Sequence, residues 1–292
     1  MSTPSPDASC APAISERRQS LWRGLLHTGE GRIGVSLGLF MFAVIVLGRF
    51  LAPDTTYNAG APGSGSSAAH WFGTDALGRD IFSRVIVAAR FDLGMAVLAV
   101  ALSFVIGLAF GALAGYFGRW IDRVLGRVAD AITAFPLFVL AMGIVVALGN
   151  GVSDMLVALV VIDLPFHYRL ARSEVHARRH LGYVEAARLG GNSALDVLWS
   201  HIVPNVLPAM GVQAVLRLGG ALFNIAGLSF IGLGVHAPAP EWGLMASEGA
   251  SHIASGAWWS VVFPGLALVL AAASFNVLGD GLRAGLYPQR RA

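Results

Sequence analysis

Leu93–Phe117 reads LGMAVLAVALSFVIGLAFGALAGYF, an apolar stretch without one charged side chain. A helix of about 20 such residues crosses the ~30 Å hydrocarbon core of a bilayer. Backbone amides in lipid have no water to bond, so the stretch must be a helix. Gly107, Gly111 and Gly115 recur along it at four-residue spacing. Small residues on one helix face let a second membrane helix approach closely.

The rest of the chain conforms to this reading. Of its 292 residues 55% are hydrophobic and 13% charged, whereas soluble domains carry about 25% charged residues. Mean hydropathy is +0.67. Further apolar stretches run Ile33–Leu51, Val128–Leu148, Met155–Tyr168, Val206–Leu233 and Trp258–Leu278. The sequence therefore predicts an all-α polytopic membrane protein with six transmembrane helices. The fourth is short and carries Asp163 and Pro165. The first is read as a retained anchor, with Arg49 closing it. Residues 1–32 read as a disordered tail, 52–92 as an external loop element, 93–284 as a five-helix core with a polar loop over 172–204, and 285–292 as a second tail.

There is no lysine, so all 20 basic residues are arginine, and their placement sets the orientation. Arg17, Arg18, Arg23 and Arg32 precede the first span. Arg119, Arg123 and Arg127 separate the second and third. Arg169, Arg172, Arg178, Arg179 and Arg188 follow the fourth, and Arg283, Arg290 and Arg291 end the chain. The positive-inside tendency makes these regions, and both termini, cytoplasmic. The stretch 235–257 has no Arg and carries Glu241 and Glu248, which suits the outside. Arg79, Arg84 and Arg90 lie against this trend. Asp75, Asp80 and Asp92 accompany them, so that loop is expected to be folded and internally paired. With a net charge of +3 and no basic stripe interleaved with aromatics, nucleic-acid binding is excluded. The single cysteine, Cys10, leaves no internal disulfide and no cysteine metal cluster.

Between the fourth and fifth spans lies GYVEAARLGGNSALDVLWSHIVP, Gly182–Pro204. It offers a short helix over Glu185, Ala186 and Ala187, a glycine break at Gly191, and a proline-led start to the next span at Ile202 and Pro204. Ala186 and Ala187 present a small flat surface, Glu185 can accept hydrogen bonds, and Gly191 permits a break where a side chain would clash. This is the shape of a docking element for a soluble partner; its structural alternative is an ordinary amphipathic interfacial helix.

Four ordered blocks carry a resemblance: HWFGTDALGRDIFSRVIVAAR (70–90), DAITAFP (130–136), YVEAARLGGNS with HIVPN (183–205), and AGLSFIGLGVHAPAPEWG (226–243) followed by FNVLGDGLR (275–283). Together they resemble the C-type inner-membrane permease subunits of ABC importers for dipeptides, oligopeptides and nickel. The resemblance implies the type I importer permease fold in a bacterial inner membrane. It also implies a coupling helix formed by Glu185, Ala186, Ala187 and Gly191, with Ile202 and Pro204 behind it. Its implied partners are a sister permease, one or two cytoplasmic ATP-binding subunits and a periplasmic or lipid-anchored substrate-binding protein, with membrane lipid around it. This chain has no G-x-x-x-x-G-K-[ST] loop, so the resemblance puts ATP and Mg on partner subunits. It assigns no cofactor, metal or catalytic residue here.

Other residues remain open between function and packing. Asp75, Gly78, Arg79 and Asp80, with Trp242 in the 235–243 stretch, either meet an external partner or order the loop before the second span. An ionisable group within a span costs about 2.5–3.5 kcal/mol on insertion scales, so Asp163 either lines a path or pairs with Arg169 or a sister-subunit residue. Arg217 and Asn224 line a central path or meet the sister permease. Asp280 and Arg283 are spaced as a helix-end pair. His176 and His180 have an i, i+4 spacing, but Arg178 and Arg179 beside them repel a cation. Departures from the family pattern stand at Phe91–Asp92, Asn224–Ile225 and Tyr287–Pro288. Nickel is the alternative cargo. An ion-coupled secondary transporter would want paired buried carboxylates, towards which Asp163 alone points, and an intramembrane enzyme would need a constellation that is not found.

Overall fold

The computed structural model describes residues 29–52 and 60–286; both tails, with Cys10 and Tyr287–Pro288, lie outside them. The described residues are helical apart from turns and one antiparallel bridge, Thr74 to Asp80. The helices are α1 (Gly29–Leu51), α2 (Ile81–Phe117), α3 (Arg119–Thr133), α4 (Leu137–Leu148), α5 (Val152–Arg178), α6 (Gly182–Leu189), α7 (194–230), α8 (Trp242–Ala250) and α9 (Trp259–Leu286). Four of them, α1, α2, α7 and α9, are long and apolar enough to cross a membrane, or five spans if the bent pair α3–α4 counts as one. At 27 residues α5 has the length; its Asp154, Asp163 and Arg residues keep it from qualifying by composition.

Three boundaries differ from the sequence reading, each for a backbone reason. Helix α2 begins at Ile81, inside the expected loop, because Asp80 caps it: Ser83 N donates to Asp80 Oδ2 at 2.8 Å. The third apolar stretch is no straight span. It breaks ahead of Pro136, whose ring cannot continue a helix, and α3 and α4 meet at 94°. Pro204 does not start α7. The helix begins at Ala194 and passes through a π-helical turn, Val197–Ile202, just before that proline. Pro204 has no N–H for the Ser200 carbonyl, and a wider turn absorbs the lost bond.

The glycine ladder of α2 meets α5. A Cβ on Gly107 would fall 2.5 Å from His167 Cβ, one on Gly111 2.4 Å from Tyr168 O, and one on Gly115 2.5 Å from Arg172 O. The main core gathers α2, α4, α5, α7, α8 and α9 around Ala88, Ala96, Val145, Met155, Leu222, Leu228 and Ala271, all fully or almost fully buried. A second cluster sits where α6 meets α2, α5 and α7. Val97, Leu98, Leu102 and Val105 on α2, Val139 and Val146 on α4, and Leu266, Val269 and Leu270 on α9 stay exposed, which suits a helix bundle whose solvent is lipid.

The bundle has two ends of different character. One gathers residues 60–80, Asn150 and the stretch 232–260, joined by Gly234 N to Asn150 Oδ1 (2.8 Å) and Trp259 Nε1 to Thr74 O (3.1 Å). The other gathers α3, the C-terminal half of α5, and α6, with eight of the arginines named above.

Candidate functional site

At the arginine-rich end, α6 stands on a single buried anchor. Val184 is fully buried among Ala112, Val175, Val197, Leu198 and Ile202, which stabilises the docked helix by about 1.5–2 kcal/mol. The opposite face is open: Glu185, Ala186 and Arg188 are exposed and Ala187 is half-buried. Leu189 is 90% exposed, with Leu181, Tyr183, Leu195 and Trp199 also exposed around it. Arg188 Nε donates to Tyr116 Oη at 3.3 Å and its guanidinium lies over that ring, tying the helix to the end of α2. Of the residues singled out behind it, Ile202 is fully buried and Pro204 exposed. Gly191 has φ +83 with nothing within 4 Å of a Cβ. The glycine is needed there for its backbone conformation, and the clash expected from the sequence does not exist.

Halfway along the bundle, α2, α5 and α7 share a polar cluster. Asp163 Oδ1 accepts from Arg217 Nε at 2.8 Å and from Arg217 Nη2. Asp163 Oδ2 accepts from Ser103 Oγ at 3.3 Å and lies 3.4 Å from His167 Nδ1. Arg217 also lies over the Phe166 ring, 4.3 Å from its centre. The pairing of Asp163 with Arg169 is thus overturned: Arg169 turns outward to Asp130 and Thr133, both at 2.9 Å. Ser103 and His167 went unread in the sequence. The i, i+4 spacing of Asp163 and His167 was a usable signal; nothing local marks Ser103. Asn224 is half-buried on the same helix as Arg217.

The other end holds the charged loop. Asp75 Oδ2 accepts from Arg79 Nε at 2.5 Å, and Arg79 Nη2 reaches Glu248 Oε2 at 2.9 Å. Arg84, 1% exposed, donates to Pro238 O at 3.2 Å and lies 3.5 Å from Glu248 Oε2. His70 Nδ1 meets Asp80 Oδ1 at 3.0 Å. Gly78 turns the loop at φ +77, and its Cβ would stand 2.4 Å from Gly60 O. Asp75, Arg79, Arg84 and Glu248 line a cavity of about 480 Å³ with Met245, His252 and Ser260. Part of the expected internal pairing is present: Arg79 and Arg84 meet Asp75 and, 169 residues from Arg79, Glu248. Asp80 meets His70 and Asp92 accepts from Trp242 N, so among the described residues neither pairs with an arginine.

Trp242 does not belong to an exposed contact surface. It is 2% exposed, its N–H donates to Asp92 Oδ2 at 3.1 Å and its indole N–H to Val85 O at 2.9 Å. Glu241 caps the same helix through Gly243 N (2.9 Å) and Leu244 N (2.6 Å), and burial pushes its carboxyl above the usual range. Asp280 and Arg283, both described, form no ion pair with each other.

Comparison with known proteins adds an independent line. Residues 107–292 match the family model described as binding-protein-dependent transport system inner membrane component. The chain is 38% identical to the dipeptide transport system permease protein DppC of Alkalihalophilus pseudofirmus, over 99% of this chain and 97% of that protein. It is 36% identical to the DppC of Bacillus subtilis (98% and 89%) and 35% identical to the glutathione transport system permease protein GsiD of Pectobacterium atrosepticum (94% and 92%).

Proposed function

Because this chain belongs to the family of binding-protein-dependent transport system inner membrane components, we propose that it is the permease subunit of an ATP-driven importer for di- and oligopeptides. The relatives' names, dipeptide and glutathione, support a short-peptide cargo. In this reading the chain makes six spans, α5 being one of them, with both termini on the cytoplasmic side of a bacterial inner membrane. A sister permease completes the path. One or two ATP-binding subunits hold the ATP and Mg, and a periplasmic or lipid-anchored binding protein delivers the cargo at the end formed by residues 60–80 and 232–260.

The observation that carries the coupling role is the split personality of α6. Its buried side, Val184, packs with α2, α5 and α7 together, while Glu185, Ala186 and Leu189 on its other side are exposed. A push on the open face is passed through one close-packed contact to three helices, because a well-packed interior transmits displacement instead of absorbing it. Closure of the ATP-binding subunits would tilt those helices and open the path outward; hydrolysis would reset them.

The test is a bulky charge on the open face. Ala186→Arg touches no packed neighbour, so the permease should still be recovered from membranes at the wild-type level. ATP-binding subunits should no longer co-purify, and ATP-dependent uptake of labelled dipeptide should fall to background. Undiminished uptake, or uptake by the chain without any ATP-binding subunit, would overturn the reading.

A further inference from the structure

Around Arg217, α7 carries a polar stripe. Gln213, Arg217, Gly220 and Asn224 follow one another at i, i+4, i+7 and i+11, which places them on one helix face. None of the four is fully covered by this chain: three are half-buried and Gly220 is exposed, with nothing within 4 Å of a Cβ. Arg217 keeps 36% of its side chain exposed at mid-span, beside an Asp163 that keeps 14%. Charged and amide groups at that depth face a cavity or another protein surface, not hydrocarbon.

We propose that this stripe is a mid-membrane cargo site for the zwitterionic ends of a short peptide. The inference rests on the peptide-importer reading. With no cargo, Arg217 is neutralised by Asp163 and braced on the Phe166 ring. A peptide carboxylate has the geometry to take the guanidinium in place of Asp163, since the planar fork pairs equally with any carboxylate. The released Asp163 stays hydrogen-bonded at Oδ2 to Ser103 Oγ and presents Oδ1 to the peptide ammonium. One ion pair becomes two, the net charge of the site is unchanged, and no group is left bare at low dielectric. Gln213 and Asn224 flank Arg217 with donors and acceptors suited to peptide amides. A peptide whose carboxylate is amidated cannot displace Asp163, so the site discriminates by the presence of that terminus.

The experiment uses the complete importer in proteoliposomes, with a free dipeptide and its C-terminal amide as probes. Wild-type complex should import the free acid faster than the amide. Arg217→Gln should still assemble and show binding-protein-stimulated ATP hydrolysis, yet lose about tenfold or more in free-acid uptake, as expected for one lost charge-assisted contact. Its preference for the free acid should vanish. Arg217→Lys should restore part of both. A wild-type acid-to-amide ratio in Arg217→Gln, or no preference in wild type, overturns the inference. Failure of wild type to import either peptide overturns the importer reading instead. A second measurement needs no uptake: Gly220→Cys, in a Cys10→Ser background, should react with a water-soluble cationic thiol reagent and be protected by the free dipeptide. Absence of labelling in every nucleotide state would sink the site.

Discussion

Gly78 and Gly191 share a backbone conformation, φ +77 and +83, but not an environment. Forcing a side chain into this left-handed region costs about 1–2 kcal/mol. Gly78→Ala adds the collision with Gly60 O, which would push the turn that carries Asp75 and Arg79 away from the 60–63 segment it bonds to. Gly191→Ala meets open space. The thermal midpoint of the purified protein should therefore drop clearly more for Gly78→Ala than for Gly191→Ala; equal drops would mean that the Gly60 contact does not constrain the loop. Glu248 offers a second residue-scale test. Glu248→Gln leaves Arg79 and the buried Arg84 sharing Asp75. The cost should be about 1–3 kcal/mol, less than the ~3–5 kcal/mol of breaking a fully buried pair, because Glu248 keeps 30% exposure. A chemical-denaturation series on the two proteins measures it. The identities of the glycines and acids were legible in the sequence. Which distant atom each one faces was not, because Glu248 and Gly60 reach these positions only through tertiary packing.

Among elements, the contact of α2 with α5 sets the tightest tolerance. Gly111 stands against the Tyr168 carbonyl and the Ala171 methyl, so Gly111→Leu must push two long helices apart and is expected to abolish recovery of folded protein. Gly94, on the same helix with nothing within 4 Å, is the control: Gly94→Leu should be recovered normally. Size-exclusion profiles after detergent extraction distinguish the two outcomes. If Gly94→Leu failed as well, the partner of that face would be a second protein and not lipid. The four-residue glycine spacing announced this contact in the sequence, and the apolar runs announced each long helix. The bend between α3 and α4 was hidden because hydropathy averages over a window. It registers Val128–Leu148 as apolar throughout and is blind to the missing N–H of Pro136. The π-turn was hidden because a proline reads as a helix start, whereas here the helix already runs from Ala194 and widens ahead of Pro204.

For the whole molecule, the decisive quantity is the number of crossings, and it turns on α5. The sequence reads as a short fourth span here, weakened because Asp154, Asp163 and the arginines lower the hydropathy of α5. The structure shows why its central acid is tolerable: Asp163 is neutralised by Arg217 and hydrogen-bonded by Ser103. The acid that kept α5 from qualifying is the one that binds it to α7, and a paired ionisable group facing a bundle interior is compatible with a span. With α5 counted, residues 29, 186 and 286 fall on one side and residue 239 on the other. Arg79 and Arg84, which run against the charge bias, sit among Asp75 and Glu248 at the opposite end from α6 and add no net charge there. Single cysteines placed in a Cys10→Ser background decide the matter. An impermeant maleimide added to intact cells should label Ala239→Cys, on an exposed turn. Gly29→Cys and Ala186→Cys should label only after permeabilisation. Were α5 not a crossing, Gly29 and Ala186 would lie on opposite sides, and the coupling role proposed for α6 would fail.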